Sequence, residues 1–234
     1  MEDKNLYISL LKKVLTDSIN NETPARLDGQ DWPKDGFTMI GHKRLDNIEL
    51  CIKEILEKNI EGDFLEAGVW KGGASIFMRA ILKAHSISDK TVWLADSFKG
   101  LPEPKAEYPE DKDDKHHQFE ELAISLNQVK NNFKVFDLLD DQVQFIEGWF
   151  HETLFHAPVN KLSLLRLDGD MYESTYVTLE ALYHKVSIGG YIIVDDYGYL
   201  ESCRMAVHDF LDKHAINPVI KNIDWTGVYW KKEK

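Results

Sequence analysis

The chain has 234 residues, 43% of them apolar and 29% charged, ordinary values for one globular α/β domain. That balance excludes global disorder, a collagen-like repeat and a coiled coil. The formal net charge is −12. So acidic a surface carries no electrostatic footprint for nucleic acid or an anionic membrane, but it can hold divalent cations. Cys51 and Cys203 are far apart and no CxxC occurs, which reads as two free thiols in a reducing, cytoplasmic setting. No apolar run approaches the ~20 residues of a transmembrane helix.

In chain order, Leu6, Leu10, Leu11, Val14 and Leu15 predict an amphipathic helix over 6–19, outside the main sheet. Residues 21–38 hold Pro24, Gly29, Pro33 and Gly36 and read as a loop. A second helix is expected over 45–58. Strand and helix patterns then alternate. Residues 64–67 and 92–95 read as buried strands separated by a helix around 76–84. Residues 102–117, rich in Pro, Asp, Glu and Lys, read as a mobile surface loop. Phe119, Leu122, Ala123, Leu126, Val129 and Phe133 predict one amphipathic helix. Strands follow at 143–146, 162–167 and 191–194, with helices over 174–185 and 202–213. A closing hairpin is expected from 219–223 and 228–230. This pattern predicts a mostly parallel seven-stranded sheet with helices on both faces, built from residues 61–234, with a helical segment over 1–60 packed on it.

Ligands of such sheets sit beyond the carboxyl ends of the strands, and chemical side chains gather there. Glu66 ends the first strand and opens the Gly-rich turn Glu66-Ala67-Gly68-Val69-Trp70-Lys71-Gly72-Gly73. Such a turn brings backbone N–H groups near a ligand, though it is neither GxGxxG nor a Walker loop, and a plain strand-to-helix turn fits equally well. Asp96 ends the second strand, where a carboxylate can accept from a ribose diol or cap a turn. Arg166-Leu167-Asp168-Gly169-Asp170 and Asp195-Asp196-Tyr197-Gly198 place four aspartates on two strand ends. Their mutual repulsion is relieved by a divalent cation, or by pairing with Arg166 or Arg204. Trp149, after the third strand, suits stacking on a ligand ring or plain core packing. His116 and His117 sit in the acidic loop without metal-ligand spacing.

Several of these blocks together carry a resemblance. Thr38-Met39-Ile40-Gly41, Lys43-Arg44-Leu45-Asp46-Asn47, Asp63 to Gly73, Trp93 to Phe98, Gly148-Trp149-Phe150, Leu165 to Asp170, Val194 to Gly198 and Asp224 to Trp230 occur in one order from about residue 36 onward. In this the chain resembles the TylF/MycF-type sugar O-methyltransferases, the macrocin O-methyltransferase family. The resemblance implies a Rossmann-like class I methyltransferase fold binding S-adenosylmethionine (SAM) and Mg²⁺. It implies metal ligation by Asp168, Asp195 and Asp196, with Asp168 also the general base. It implies SAM contacts from Thr38, Met39, Glu66, Ala67, Gly68, Val69, Ser75, Asp96, Ser97, Phe98, Gly148 and Trp149. The acceptor would be a glycosylated small molecule or sugar, and the assembly a dimer or higher oligomer. In that family, segments comparable to the N-terminal helix and the 102–117 loop help cover the acceptor.

Two rival chemistries remain open on the residues. Asp168-Gly169-Asp170 is a DxD, the pattern by which many glycosyltransferases hold a metal and a nucleotide sugar. A catechol-type O-methyltransferase would share the metal logic but take a planar diol. A non-catalytic interaction module ranks lowest, because the Gly-rich turn and the carboxylates are all present.

Overall fold

The computed structural model describes residues 2–234. The strands are β1 (Asp63–Ala67), β2 (Val92–Asp96), β3 (Val143–Glu147), β4 (Leu162–Leu167), β5 (Val186–Val194), β6 (Lys221–Asn222) and β7 (Val228–Lys231). The helices are α1 (Glu2–Leu15), α2 (Pro24–Asp28), α3 (His42–Glu57), α4 (Gly73–Ala84), α5 (Leu126–Val135), α6 (Phe150–Thr153), α7 (Tyr172–Leu182) and α8 (Glu201–Lys213). All seven strands form one sheet in the order β3-β2-β1-β4-β5-β7-β6. The first five are parallel; β7 runs antiparallel to both β5 and β6.

Successive strand residues face opposite sides, so each parallel strand feeds two cores. Phe64, Leu94, Leu164 and Ile193 join α3 and α4 in one core. Leu65, Ala95, Leu165 and Ile192 join α7 and α8 in the other. Ile8, Leu11 and Leu15 of α1 belong to the first core. The helix lies against α3 and α4 rather than joining the sheet.

The structure departs from the expected elements in three places. Residues 21–38 contain a short helix, α2, started by Thr23, whose hydroxyl accepts from the Arg26 N–H, and ended by Gly29 in the left-handed region. The helix expected from Phe119 starts only at Leu126, because the Ser125 hydroxyl accepts from the Gln128 N–H and caps it there. Residues 102–122 fold into three single 3₁₀ turns instead of an open loop. Their anchor is Asp111, which is buried and accepts from the N–H groups of Tyr172 (2.7 Å) and Glu173 (2.9 Å). These are orphan amides of the first turn of α7, so a carboxylate 61 residues upstream serves as its cap. Phe119 and Leu122, lacking a helix to sit on, line a cavity instead.

The chain runs outward from β1 through β2 to β3, and outward from β4 to β5 in the other direction. The crevice between the carboxyl ends of β1 and β4 is therefore the switch point of the sheet.

Candidate active site

A cavity of about 510 Å³ opens at that switch point. Its geometry begins with Gly68, at φ +88, where a Cβ would stand 1.8 Å from the Asp168 carbonyl oxygen. Only glycine allows this approach. The Asp168 N–H donates to the Ala67 carbonyl (2.8 Å) and the Asp195 N–H to the Leu167 carbonyl (2.9 Å), so the ends of β1, β4 and β5 step side by side. The Gly-rich turn is held open by Asp96. One carboxylate oxygen accepts from the Val69 N–H (2.8 Å), the other from the Phe98 N–H (2.7 Å). Burial pushes the Asp96 carboxyl up, and these amides pull against it. Trp70 and Phe98 take left-handed backbone at φ 45 and 55, strain of the kind that gathers at functional sites. The Gly73 N–H donates to the Phe37 carbonyl (2.9 Å), which seats Thr38, Met39 and Ile40 on the cavity wall.

Below the turn lies a buried ion network. Arg166, on β4, donates to Glu66 and to Asp195 (2.6 Å) and forms an ion pair with Asp168 (2.8 Å). Arg44, on α3, donates to Asp195 and to Asp224 (2.9 Å). The second oxygen of Glu66 accepts from the Ser75 hydroxyl. Burial pushes the Glu66 carboxyl up to about 7, against the pull of Arg166. Asp195, despite burial, is held below the usual carboxylate range by Arg166 and Arg44. Burial lifts Asp168 to about 6, again against Arg166. Burial first, then Asp168, lifts Asp170 to about 7. Burial and the neighbouring Asp170 push Asp196 well above its ordinary value.

The two guanidinium groups thus pair with Glu66, Asp168, Asp195 and Asp224, while Asp170 and Asp196 stand beside them without an ion-pair partner among the described residues, so that crowding resists ionisation of the whole set. Carboxylate oxygens of Asp168, Asp195 and Asp196 lie within 4.8 Å of one another. A cluster of hard oxygen donors under mutual repulsion fits a small divalent cation. Asp168 is 31% exposed and opens to the cavity, whereas Asp195 is buried and already holds two guanidinium groups.

Of the residues singled out in the sequence, Thr38, Met39, Glu66, Gly68, Val69, Asp96, Ser97, Trp149, Asp168, Asp195 and Asp196 all line this one cavity. Ala67, Ser75, Phe98 and Gly148 do not. Ser75 is fully buried beneath Glu66, and Phe98 packs edge-on against Phe145. The Gly148 N–H donates to the Asp96 carbonyl (2.9 Å) and so locks β3 to β2. Arg204 pairs with Glu201 and takes no part in the network. Arg44 stands in the Lys43–Asn47 block of the resemblance, but its pairing with Asp195 and Asp224, 151 and 180 residues away, is set by the fold and not by local spacing. His116, Asp170, Glu173 and Phe119 also line the cavity. Trp32 meets Phe119 edge-on at 5.9 Å between ring centres, and Tyr199 meets Trp225 at 5.4 Å, giving the cavity two aromatic flanks.

The sheet order and its switch-point cavity are those of the class I methyltransferase fold. The family model for macrocin-O-methyltransferase (TylF) matches residues 12–232, and the chain belongs to that family. It is 45% identical to the 8-demethyl-8-(2,3-dimethoxy-alpha-L-rhamnosyl)-tetracenomycin-C 4'-O-methyltransferase of Streptomyces olivaceus, over 97% of this chain and 93% of that one. It is 42% identical to the mycinamicin III 3''-O-methyltransferase of Micromonospora griseorubida, over 97% and 96%. The solved structure of the O-methyltransferase NovP superposes with a TM-score of 0.96 at 45% identity, covering 99% of this chain and 100% of that one. The calicheamicin methyltransferase CalS11, with a TM-score of 0.65 at 15% identity over 98% and 91%, shares the fold.

Proposed function

We propose that the chain transfers the methyl group of SAM to a hydroxyl of a sugar carried by a small natural product, with a divalent cation, Mg²⁺ by preference, at Asp168, Asp195 and Asp196. The observation that carries this reading is the placement of those three carboxylates in one cavity with the Gly68–Val69 turn. The relatives named for methylating glycosides supply the acceptor class.

SAM supplies an electrophilic methyl group on a sulfonium that leaves as a thioether. The Gly68–Val69 turn and Ser97 would receive its amino acid and ribose portions, with Met39 and Trp149 flanking the rest. Asp96 holds that turn through both oxygens and lines the cavity. A divalent cation, when bound, supplies Lewis acidity that lowers the pKa of a hydroxyl oxygen on it. Hard cations complete their shell with water or substrate oxygens, and the cavity side of Asp168 and Asp196 leaves room for them. Arg166 and Arg44 keep Asp195 ionised and aimed, as outer partners of a metal ligand do. Asp168 would take the proton from the acceptor hydroxyl. Arg166 steadies the resulting charge pattern, and the apolar flanks exclude competing water. Holding acceptor oxygen and methyl group in line is worth more than any single contact, because it turns a two-body encounter into a positioned step.

The test is calorimetric titration of SAM with and without Mg²⁺, followed by turnover on the rhamnosyl tetracenomycin and mycinamicin III acceptors. SAM binding near one per chain and methyl transfer to a glycoside are expected. Metal-dependent binding of a nucleotide sugar without SAM binding would overturn the reading in favour of glycosyl transfer at Asp168-Gly169-Asp170. Transfer to a catechol but to no glycoside would replace the sugar by a planar diol.

A further inference from the structure

The part of the cavity wall formed by residues 119–124 has a single polar tie to the rest of the protein. Its own backbone bonds are local: the Leu122 N–H donates to the Phe119 carbonyl (3.1 Å) and the Ala123 N–H to the Glu120 carbonyl (3.0 Å). Among the described residues, one hydrogen bond reaches 119–124 from outside 116–124. It comes from Trp70, whose indole N–H donates to the Glu121 carbonyl at 2.9 Å. Glu121 lies between Phe119 and Leu122, the two residues of this segment that line the cavity. The 3₁₀ turn over Glu120–Leu122 buries no side chain, so its one tie has a large share in holding it.

Trp70 belongs to the Gly-rich turn and lines the cavity too. It follows Val69, whose N–H Asp96 holds, and it takes left-handed backbone at φ 45, a region a bulky residue adopts only under constraint. The Lys71 ammonium stands over its ring, 4.3 Å from the centre, and donates to the Gly36 carbonyl at 3.1 Å. The Lys71 carbonyl in turn accepts from the Asn132 side chain of α5 (2.9 Å). Two adjacent residues of one turn thus hold both aromatic flanks on this side of the cavity. Lys71 holds the stretch before Phe37 and Trp70 the stretch around Glu121, and the two stretches meet where Trp32 packs edge-on against Phe119.

We infer that Trp70 is a positioning residue that couples the two sides of the cavity. A ligand on the Gly68–Val69 turn sets the indole, the indole sets the Glu121 backbone, and Phe119 and Leu122 take their places against the acceptor. The inference rests on the proposed binding of SAM at that turn and adds how that binding is felt by the acceptor. No bond is made or broken through the indole. Coupling between two binding sites is reciprocal, so an acceptor seated against Phe119 and Leu122 tightens SAM by the factor by which SAM tightens it. A neutral hydrogen bond changes an equilibrium by about fivefold, which sets the size of what this link transmits.

The experiment is hydrogen–deuterium exchange of the 119–124 backbone in the wild type and in Trp70→Phe, each with and without saturating SAM. Phenylalanine keeps a ring face for Lys71 and removes the N–H donor. The expected result is that SAM slows exchange at 119–124 about fivefold in the wild type and leaves it unchanged in the variant. Calorimetry should give the variant a SAM affinity within about fivefold of the wild type. A variant in which SAM still slows the exchange as in the wild type overturns the coupling, because a merely structural tie raises exchange alike with and without SAM. A wild type that binds SAM with no change at 119–124 overturns it as well. Where Trp70→Phe fails to fold or to bind SAM, nitrogen-15 NMR of the Trp70 indole N–H in the wild type carries the test. Its exchange with solvent should slow about fivefold on adding SAM, and an unchanged rate overturns the coupling. Failure of the wild type to bind SAM at all overturns the underlying methyl-transfer reading instead.

Discussion

The two sides of the cavity are built by different means. On the side proposed to receive SAM, the ends of β1 and β2 are shaped by backbone packing. Gly68 meets the Asp168 carbonyl, Gly73 meets Phe37, and Asp96 is spent on two amides. On the side proposed to receive the acceptor, residues 102–122 are held by side chains: Asp111 caps α7, Lys105 pairs with Glu173 at 2.7 Å, and Asp114 clamps His116. Backbone packing tolerates almost no substitution, whereas side-chain pins can be exchanged one at a time. Under the proposed function that division leaves the acceptor side free to change while the donor side stays fixed, in keeping with relatives named for different acceptors.

The sharpest break of this contrast is Gly68→Ala. The new methyl group would collide with a carbonyl that belongs to β4, at a φ that alanine avoids. A loss of about 3–5 kcal/mol in urea unfolding, or failure to accumulate folded protein, is expected. A variant with near-normal stability would show that the β1–β4 junction gives way easily. Arg166→Met should follow closely. It leaves Glu66 and Asp195 buried and short of their partner, a change worth about 3–5 kcal/mol by the same measurement.

Function divides along the same line. Asp168→Asn should lower kcat about 10²-fold or more while SAM affinity measured by calorimetry changes little. Asp96→Ala should do the reverse, because the turn proposed to receive SAM loses both its ties. Near-normal kcat in the Asp168 variant removes that carboxylate from the base role.

What the sequence disclosed follows the same division. The strand alternation, the Gly-rich turn and the aspartates at the ends of β4 and β5 are local patterns, so spacing alone marks them. The acceptor side depends on contacts that spacing cannot reveal. Asp111 is one acidic residue among many in 102–117 until α7 arrives to meet it. Phe119 and Leu122 have helical spacing, but Ser125 caps the helix after them and hands both to the cavity. Arg44 sits on a helix whose apolar stripe was plain, yet its partners come from the far end of the chain.

Asp111→Ala tests the acceptor side more gently. Loss of the cap on α7 should cost about 1–2 kcal/mol and expose residues 102–122 to limited proteolysis, with SAM affinity retained. Cleavage no faster than in the wild type would mean that the remaining ties, Lys105 to Glu173 and the Trp70 indole N–H to the Glu121 carbonyl, hold the segment without the cap.

The smallest expected effect lies behind the donor side, where Arg79 of α4 donates to Asp140 at 3.0 and 2.5 Å. Asp140 is 39% exposed, so solvent screening limits the pair to about 0.5–1 kcal/mol despite its two-pronged geometry. The hydrogen bond from Arg79 holds the Asp140 carboxyl below its ordinary range. A carboxyl depressed in the folded state adds stability above its unfolded pKa and loses it as pH falls through the folded value. Asp140→Asn should therefore cost a constant amount from pH 7 down to about 5, and the gap to the wild type should close below about pH 4. A gap that stayed constant to lower pH would assign the loss to the Gln142 N–H that Asp140 also accepts, not to the charge on Arg79.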